Sequence, residues 1–244
     1  MNTLANQQRV LRLEGAYNVR DLGGYETKDG SMTRWGLLYR ADNLHALSEG
    51  SRQELVKRGI TTVIDLRYSS ELALQRDVFS DSRDAAYHNV SLVLASQGDY
   101  VRGLGEQYID LLEGAKEPIR RVFELLAGST ENGAALFHCK VGKDRTGIIA
   151  ALLLELAGVP HATIAEDYAL TAGCLAPLMD ELRQDRPPAV SPEAYEVHLG
   201  SPPENMIVLL NHLMSAYGDA EGYLRSSGIE PEQIQALKQR MLAD

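Results

Sequence analysis

The stretch from Ala134 to Leu154 constrains this chain more than any other. An apolar run, Ala134 to Phe137, leads into His138-Cys139-Lys140-Val141-Gly142-Lys143-Asp144-Arg145-Thr146-Gly147, and a second, Ile148 to Leu154, leads out. The first run predicts a buried strand and the second a buried helix. Between them a thiol, five residues and an arginine form a loop able to wrap around one tetrahedral dianion. A helix N-terminus presents unpaired backbone N–H groups and the positive end of its dipole, both of which favour phosphate. The same field favours a thiolate at Cys139. Five intervening residues let the amides of Lys140, Val141, Gly142 and Lys143 turn inward as an anion nest. Gly142 supplies a backbone angle that other residues resist, and Arg145 closes the ring with a two-pronged fork. Thr146 offers a hydroxyl to the sulfur when it leaves. The arrangement suits attack by sulfur on phosphorus.

Two simpler readings fail on the same residues. A buried structural cysteine beside a solvated charge run leaves unexplained three cations and an aspartate packed between a strand and a helix. A Walker-type nucleotide loop needs Ser or Thr after the Gly-Lys pair and a glycine five residues before Gly142; this chain has Asp144 and Phe137 there.

Composition narrows the setting. The 244 residues suffice for one domain of ordinary core size. Two cysteines, Cys139 and Cys174, make no disulfide framework, which fits a reducing compartment. The polar first fifteen residues lack a signal-peptide core, and no apolar run approaches the ~20 residues of a membrane span. A cytoplasmic protein without an integral membrane segment is the expectation. The net charge of −10 argues against nucleic acid and against unaided adhesion to anionic membranes. The phosphate site is then a local positive pocket, made by Lys140, Lys143 and Arg145, in a negative body.

Along the chain, residues 1–16 read as an exposed lead-in and 17–39 as short strands or hairpins, with Trp35, Leu37, Leu38 and Tyr39 in the core. Residues 47–59 predict a helix with a Ser51–Glu54 capping box and a stop at Gly59. Thr61 to Leu66 predicts a buried strand and Ala86 to Leu94 another. Asp65 and Arg67 then lie at a strand's carboxyl end, where Arg67 either reaches the substrate or is a plain strand-end charge. Helices follow over 100–113 and 117–127, after a mobile loop over 96–105. Gly158 and Pro160 end the helix after the loop, and Thr163 and Glu166 cap another running to about Gln184. Five prolines between 185 and 204 mark a linker or lid. Met206, Leu210, Leu213 and Tyr217 form a helix-core stripe, and 222–227 and 232–242 predict short helices. Strands alternating with helices indicate an α/β fold with a helical C-terminal portion.

His138-Cys139 through Arg145-Thr146-Gly147 resembles the signature of the cysteine-dependent protein-tyrosine phosphatases. The version Cys-Lys-Val-Gly-Lys-Asp-Arg is similar to bacterial tyrosine/serine phosphatases, whose members often also hydrolyse phosphoinositides. Asn18 to Tyr25, Leu38 to Asp42, Ile64 to Arg67 and Tyr223 to Arg225 resemble the same family, so the likeness covers nearly the whole chain. It implies a protein-tyrosine-phosphatase-like central sheet flanked by helices, with a helical C-terminal elaboration. The core then spans 1–184, with the phosphate loop at 138–147, a proline-rich linker or lid at 185–204, and C-terminal helices at 205–244 packed on the same domain. It implies hydrolysis of phosphomonoesters through a cysteinyl-phosphate on Cys139, held by Arg145, with no cofactor and no metal. Many members of the wider superfamily keep the general acid on a Trp-Pro-Asp loop, but the one tryptophan here, Trp35, precedes Gly36. The bacterial family points instead to Asp144, with Asp99, Asp110 and Asp65 as alternatives.

The resemblance also makes Arg20, Arg40 and Asp42 supporting groups of the site. His138 is a structural hydrogen-bonding neighbour of Cys139, and the other histidines show no metal-ligand spacing. Cys174 is by default a buried apolar thiol, or else a resolving partner for oxidised Cys139. Lys140 and Lys143 resemble lysines that hold additional phosphates in eukaryotic 3-phosphoinositide phosphatases. A phosphorylated protein with broad phosphotyrosine and phosphoserine use ranks first as substrate, a phosphoinositide or inositol phosphate second, and phosphate or sulfate can occupy the loop. A phosphate-binding module without turnover, an arsenate reductase and a sulfur-transfer enzyme are the alternatives of other classes.

Overall fold

The computed structural model describes residues 8–93, 99–131 and 133–243. Its centre is a five-stranded sheet of β1 (Arg20–Asp21), β2 (Leu38–Ala41), β3 (Ile60–Asp65), β4 (Ala86–Asn89) and β5 (Ala134–His138), in the order β1-β2-β5-β3-β4. All but β1 run parallel; β1 pairs antiparallel with β2. Side chains alternate across a pleated strand. In β5, Ala135 and Phe137 accordingly enter one apolar cluster, while Ala134 and Leu136 enter the other. Every β5 residue is buried, which is how an all-apolar run comes to occupy the middle of a parallel sheet. The register sets Ala41 and Asp65 on either side of His138. The residues that follow these three therefore gather at one carboxyl edge, the edge where α/β sheets bind ligands.

The helices are α1 (Glu49–Lys57), α2 (Ser69–Leu74), α3 (Leu104–Gly114), α4 (Lys116–Ser129), α5 (Asp144–Leu156), α6 (His161–Leu175), α7 (Met179–Gln184), α8 (Pro192–Leu199), α9 (Pro203–Tyr217), α10 (Ala220–Ser226) and α11 (Pro231–Met241). Every residue of α5 from Arg145 to Leu156 is buried, as its apolar circumference requires. Around it pack Leu112, Phe123, Tyr168, Leu210, Leu224 and Leu237, so the C-terminal helices contribute to the same core as the sheet. Even the acidic residue of α5 is used internally: the Glu155 carboxylate accepts the first amide of α10 at 2.7 Å. No helix among the described residues is long and apolar enough to cross a membrane.

Several local expectations are corrected. Residues 8–16 are not a free lead-in: Arg9 is buried with its guanidinium 3.5 Å from the Tyr25 ring centre, and Leu11 and Ala16 join the smaller core. Trp35 is 45% exposed. Its indole covers Gly24, where a Cβ would come within 2.1 Å of the ring, so it seals a glycine turn from outside. Helix α1 is capped by Ser48, which accepts from the Ser51 amide, and not by a Ser51–Glu54 box. Helix α6 begins at His161 without a side-chain cap and stops at Leu175. Pro177 has no N–H to continue the ladder, so Ala176–Leu178 tighten into a 3-10 turn before α7. The proline-rich segment carries α8, capped by Ser191 with Pro192 at its first position. The strand expected over 86–94 ends at Asn89. The parts of that strand and of the 96–105 loop that fall on 94–98 lie outside the described residues.

Candidate active site

Strand β5 ends at His138, and the chain then loops through Cys139–Lys143 into α5. Gly142 makes the turn at φ +66°, where a Cβ would sit 2.5 Å from the Ala41 carbonyl oxygen. Lys143, the residue before α5, gives its helix no side-chain cap, so the first-turn amides remain free to bind an anion. The loop's carbonyls are held by clamps. Asn18 Nδ2 donates to the carbonyls of Val141 (3.0 Å) and Gly142 (3.1 Å), and Arg40 Nη2 donates to Gly142 at 2.8 Å. Asn18 is itself fixed by Asp42, whose carboxylate accepts the amides of Tyr17 and Asn18.

Under these clamps lies a buried ionic trio. Asp167 of α6 accepts from Arg20 Nε at 2.9 Å and from Arg40 Nη1 at 2.6 Å, and Tyr25 donates to it at 2.7 Å. Burial alone would raise the Asp167 carboxyl, but the two guanidinium charges outweigh it and hold it well below the usual range. Arg20 and Arg40 thus meet at Asp167, and Asp42 is linked to them only through Asn18, whose side-chain oxygen accepts from Arg20.

Arg145 lies one residue into α5. It forms a bidentate pair with Glu71 of α2, at 2.6 and 2.8 Å, and its guanidinium lies 4.5 Å from the Tyr68 ring centre. Burial opposes its charge, but the Glu71 hydrogen bonds and the nearby Cys139 sulfur raise its pKa. Cys139 is almost fully buried and Thr146 fully so; the Thr146 hydroxyl has no hydrogen-bond partner among the described residues. Lys140 pairs with Asp185 at 2.7 Å, both half-exposed. Lys143 is buried and donates to the carbonyls of His198 and Gly200. Val141 lines the cleft above.

A second buried set supports the end of β5. Arg67 does not reach the cleft: it is fully buried, with Asp65 at 2.6 Å and the oxygens of Asn43 and Gln75 as acceptors. His138 Nε2 lies 3.2 Å from Asp77 and 3.6 Å from Asp65. Burial lowers its pKa, but the carboxylates reverse that and raise it. Asp65, Asp77 and His138 converge within 4.8 Å, close enough for a metal ion, yet both Asp65 oxygens are already taken by Arg67. The donors fit an ion-pair platform better than a metal centre.

The model of the "Tyrosine phosphatase family" matches residues 11–243. A tyrosine-protein phosphatase of Nostoc commune is 35% identical over 221 residues, covering 83% of this chain and 73% of that one. The chain belongs to the tyrosine phosphatase family. It is a phosphomonoester hydrolase of the protein-tyrosine-phosphatase type. The triple specificity protein phosphatase PtpB of Mycobacterium tuberculosis is 28% identical over 276 residues, covering 94% of this chain and 98% of that one. A solved P. aeruginosa TpbA in complex with pTyr aligns over 72% of this chain and 87% of that one, at 16% identity and a TM-score of 0.37.

The phosphatase's cleft, of about 190 Å³, is lined by Tyr68, Tyr100, Tyr108 and Tyr195 and by Lys143, Asp144 and Arg145. Tyr100, Tyr195 and His198 pack together, with ring centres 4.8 to 6.1 Å apart. Of the four aspartates weighed as acids, Asp144 alone lines this cleft. Asp99 caps the turn at Val101, Asp110 pairs with Arg102 on the surface, and Asp65 is tied to Arg67. Cys174 is a free, half-buried thiol whose pKa burial pushes up. Sequence reasoning missed Glu71, Asp77, Tyr108 and Asp167. Asp167 left a trace: a carboxylate interrupting the buried stripe Ile164, Tyr168, Thr171 and Leu175 on α6.

Proposed function

We propose that the phosphatase moves the phosphoryl group of a phosphoprotein onto Cys139 and then hydrolyses it. The Cys139 thiolate forms the S–P bond as the P–O bond to the leaving group breaks, and Asp144 delivers its proton to the departing oxygen. A water molecule then attacks phosphorus, Asp144 takes the proton, and the sulfur leaves as thiolate, received by the unpartnered Thr146 hydroxyl. Arg145, already charged and oriented by Glu71, and the loop amides stabilise the equatorial oxygens, the kind of preorganised contribution that is usually the largest. One observation carries this reading: Arg145 and Asp144 share a single cleft at an uncapped helix N-terminus, and the loop leading into that helix begins at a buried thiol.

The tyrosine lining supports an aryl phosphate as the preferred substrate, with phosphoserine accommodated less well. A phosphoinositide is the second reading. Lys143 is committed to backbone carbonyls, but the half-exposed Lys140–Asp185 pair is of a kind worth at most ~1 kcal/mol, so Lys140 can exchange Asp185 for a second phosphate. That the M. tuberculosis relative is named for triple specificity supports a broad range. Residues 185–204 act as a lid held by the Lys143 contacts to the end of α8, and the free thiols suit a reducing cytoplasm. The test is phosphate release from a phosphotyrosyl peptide, a phosphoseryl peptide and a 3-phosphoinositide, with Cys139→Ser as blank. Fastest release from the phosphotyrosyl peptide is expected. Faster release from the lipid makes Lys140 a specificity residue, and silence from a folded protein on all three overturns the reading.

A further inference from the structure

Behind Asp144 runs a one-directional chain of hydrogen bonds built from two other helices. Tyr108 of α3 donates its hydroxyl proton to Asp144 Oδ1. The hydroxyl of Tyr168, on α6, lies 2.7 Å from that of Tyr108. A carboxylate only accepts, so Tyr108 must be the donor to it. Tyr168 then donates to Tyr108. Each link polarises the next toward the carboxylate. Both phenols are buried, and burial followed by the charge of Asp144 raises their pKa, which keeps them protonated as donors. Packing fixes the chain in place. At Gly105 a Cβ would sit 2.7 Å from Val208 and 3.0 Å from the Asn205 carbonyl, so this glycine lets α3 and α9 approach. Tyr108 lies three residues on, along the same helix face.

On Asp144 the consequences differ between the two oxygens. Oδ1 takes the Tyr108 hydroxyl and has Lys143 Nζ at 3.5 Å. Among the described residues no hydrogen bond reaches Oδ2. We propose that Tyr108 is the positioning residue of the general acid: it pins Oδ1, leaves the transferable proton on Oδ2 facing the cleft, and stabilises the carboxylate formed when that proton departs. In the forward step the Oδ2–H bond breaks, its electron pair stays on Asp144, and the proton goes to the leaving oxygen as its bond to phosphorus opens. Tyr108 keeps its own proton throughout. When Oδ2 later takes a proton from water, the same hydrogen bond remains in place. This inference rests on the reading of Asp144 as the acid.

The test compares Tyr108→Phe with wild type on aryl phosphates whose leaving groups range from p-nitrophenol to unsubstituted phenol. General acids contribute about 10²–10⁴-fold; misorienting this one is expected to lower kcat on phenyl phosphate about 10-fold. The p-nitrophenyl ester, which needs little protonation, should change about 2-fold or less, with KM unchanged for both. Tyr168→Phe removes the donor behind Tyr108 and should show the same pattern more weakly, providing a second reading should Tyr108→Phe melt early. In an Asp144→Asn background, Tyr108→Phe should add nothing. If Asp144→Asn itself shows no leaving-group dependence, the assignment of the acid fails. If Asp144→Asn does show it but both Phe variants are uniform across leaving groups, the positioning role fails while the acid stands.

Discussion

Replacing Asp167 with asparagine removes the one negative charge shared by two buried arginines. Arg20 and Arg40 contact it at 2.9 and 2.6 Å, and none of the three side chains is more than 1% exposed. Deleting one partner of a buried pair costs about 3–5 kcal/mol, because the orphaned charge cannot return to water. Two cations are orphaned here, so the upper end applies. For a domain of this size ~1 kcal/mol shifts the melting temperature by about 2–4 °C, and a fall of about 10–20 °C is expected. The pH dependence has a definite sign. Burial would raise the Asp167 pKa, but the arginines depress it. Its contribution is therefore complete above the ordinary aspartate value of ~3.9 and is lost as pH falls through the depressed folded value. The melting gap between wild type and Asp167→Asn should thus be constant from about pH 7 to about pH 5 and narrow in stronger acid. Arg40 also holds the Gly142 carbonyl, so the variant should bind vanadate more weakly as well. Scanning calorimetry across pH measures the gap. A gap under about 3 °C at neutral pH, or one that widens on acidification, would refute Asp167 as the shared counter-charge of the two arginines, and unchanged vanadate affinity would refute the coupling of the trio to the loop.

Three further outcomes follow from the same geometry. Glu71→Gln removes the charge that orients Arg145 and should lower kcat/KM by about 10- to 100-fold, the scale of a small misplacement of a substrate-binding group; steady-state kinetics on a phosphotyrosyl peptide checks it. Gly142→Ala forces a left-handed backbone angle that costs about 1–2 kcal/mol and drives a methyl group into the Ala41 carbonyl. It should lower both the melting temperature and vanadate affinity. Cys174→Ser should leave peroxide inactivation and its recovery by thiol unchanged, since burial keeps that sulfur protonated; slower recovery would make Cys174 a resolving cysteine.

The parts of the site that sequence spacing made legible are local. A strand, a loop with a thiol and an arginine six residues apart, and a buried helix can be read from one continuous stretch, and Gly142 takes the positive φ that its place demanded. What stayed hidden depends on residues far apart in the chain. Spacing alone shows no partner for Arg20 and Arg40, because Asp167 lies 147 and 127 positions away. Glu71 sits on a six-residue helix whose amphipathic pattern is too short to show which way it faces. Tyr108 and Tyr168 each look like ordinary core aromatics until α3 and α6 bring their hydroxyls together. Trp35 misled for a different reason: hydrophobicity predicts burial on average, but large aromatics also serve as covers over glycine turns, as over Gly24.

The central claim is covalent transfer to one sulfur. Mixing the enzyme with a radiolabelled phosphotyrosyl peptide, quenching in acid within milliseconds and mapping the label by proteolysis tests it directly. Label should appear on the peptide carrying Cys139, accumulate further in Asp144→Asn if the second step slows, and vanish in Cys139→Ser. Phosphate release at an undiminished rate from Cys139→Ser, or label on another residue, would contradict the account.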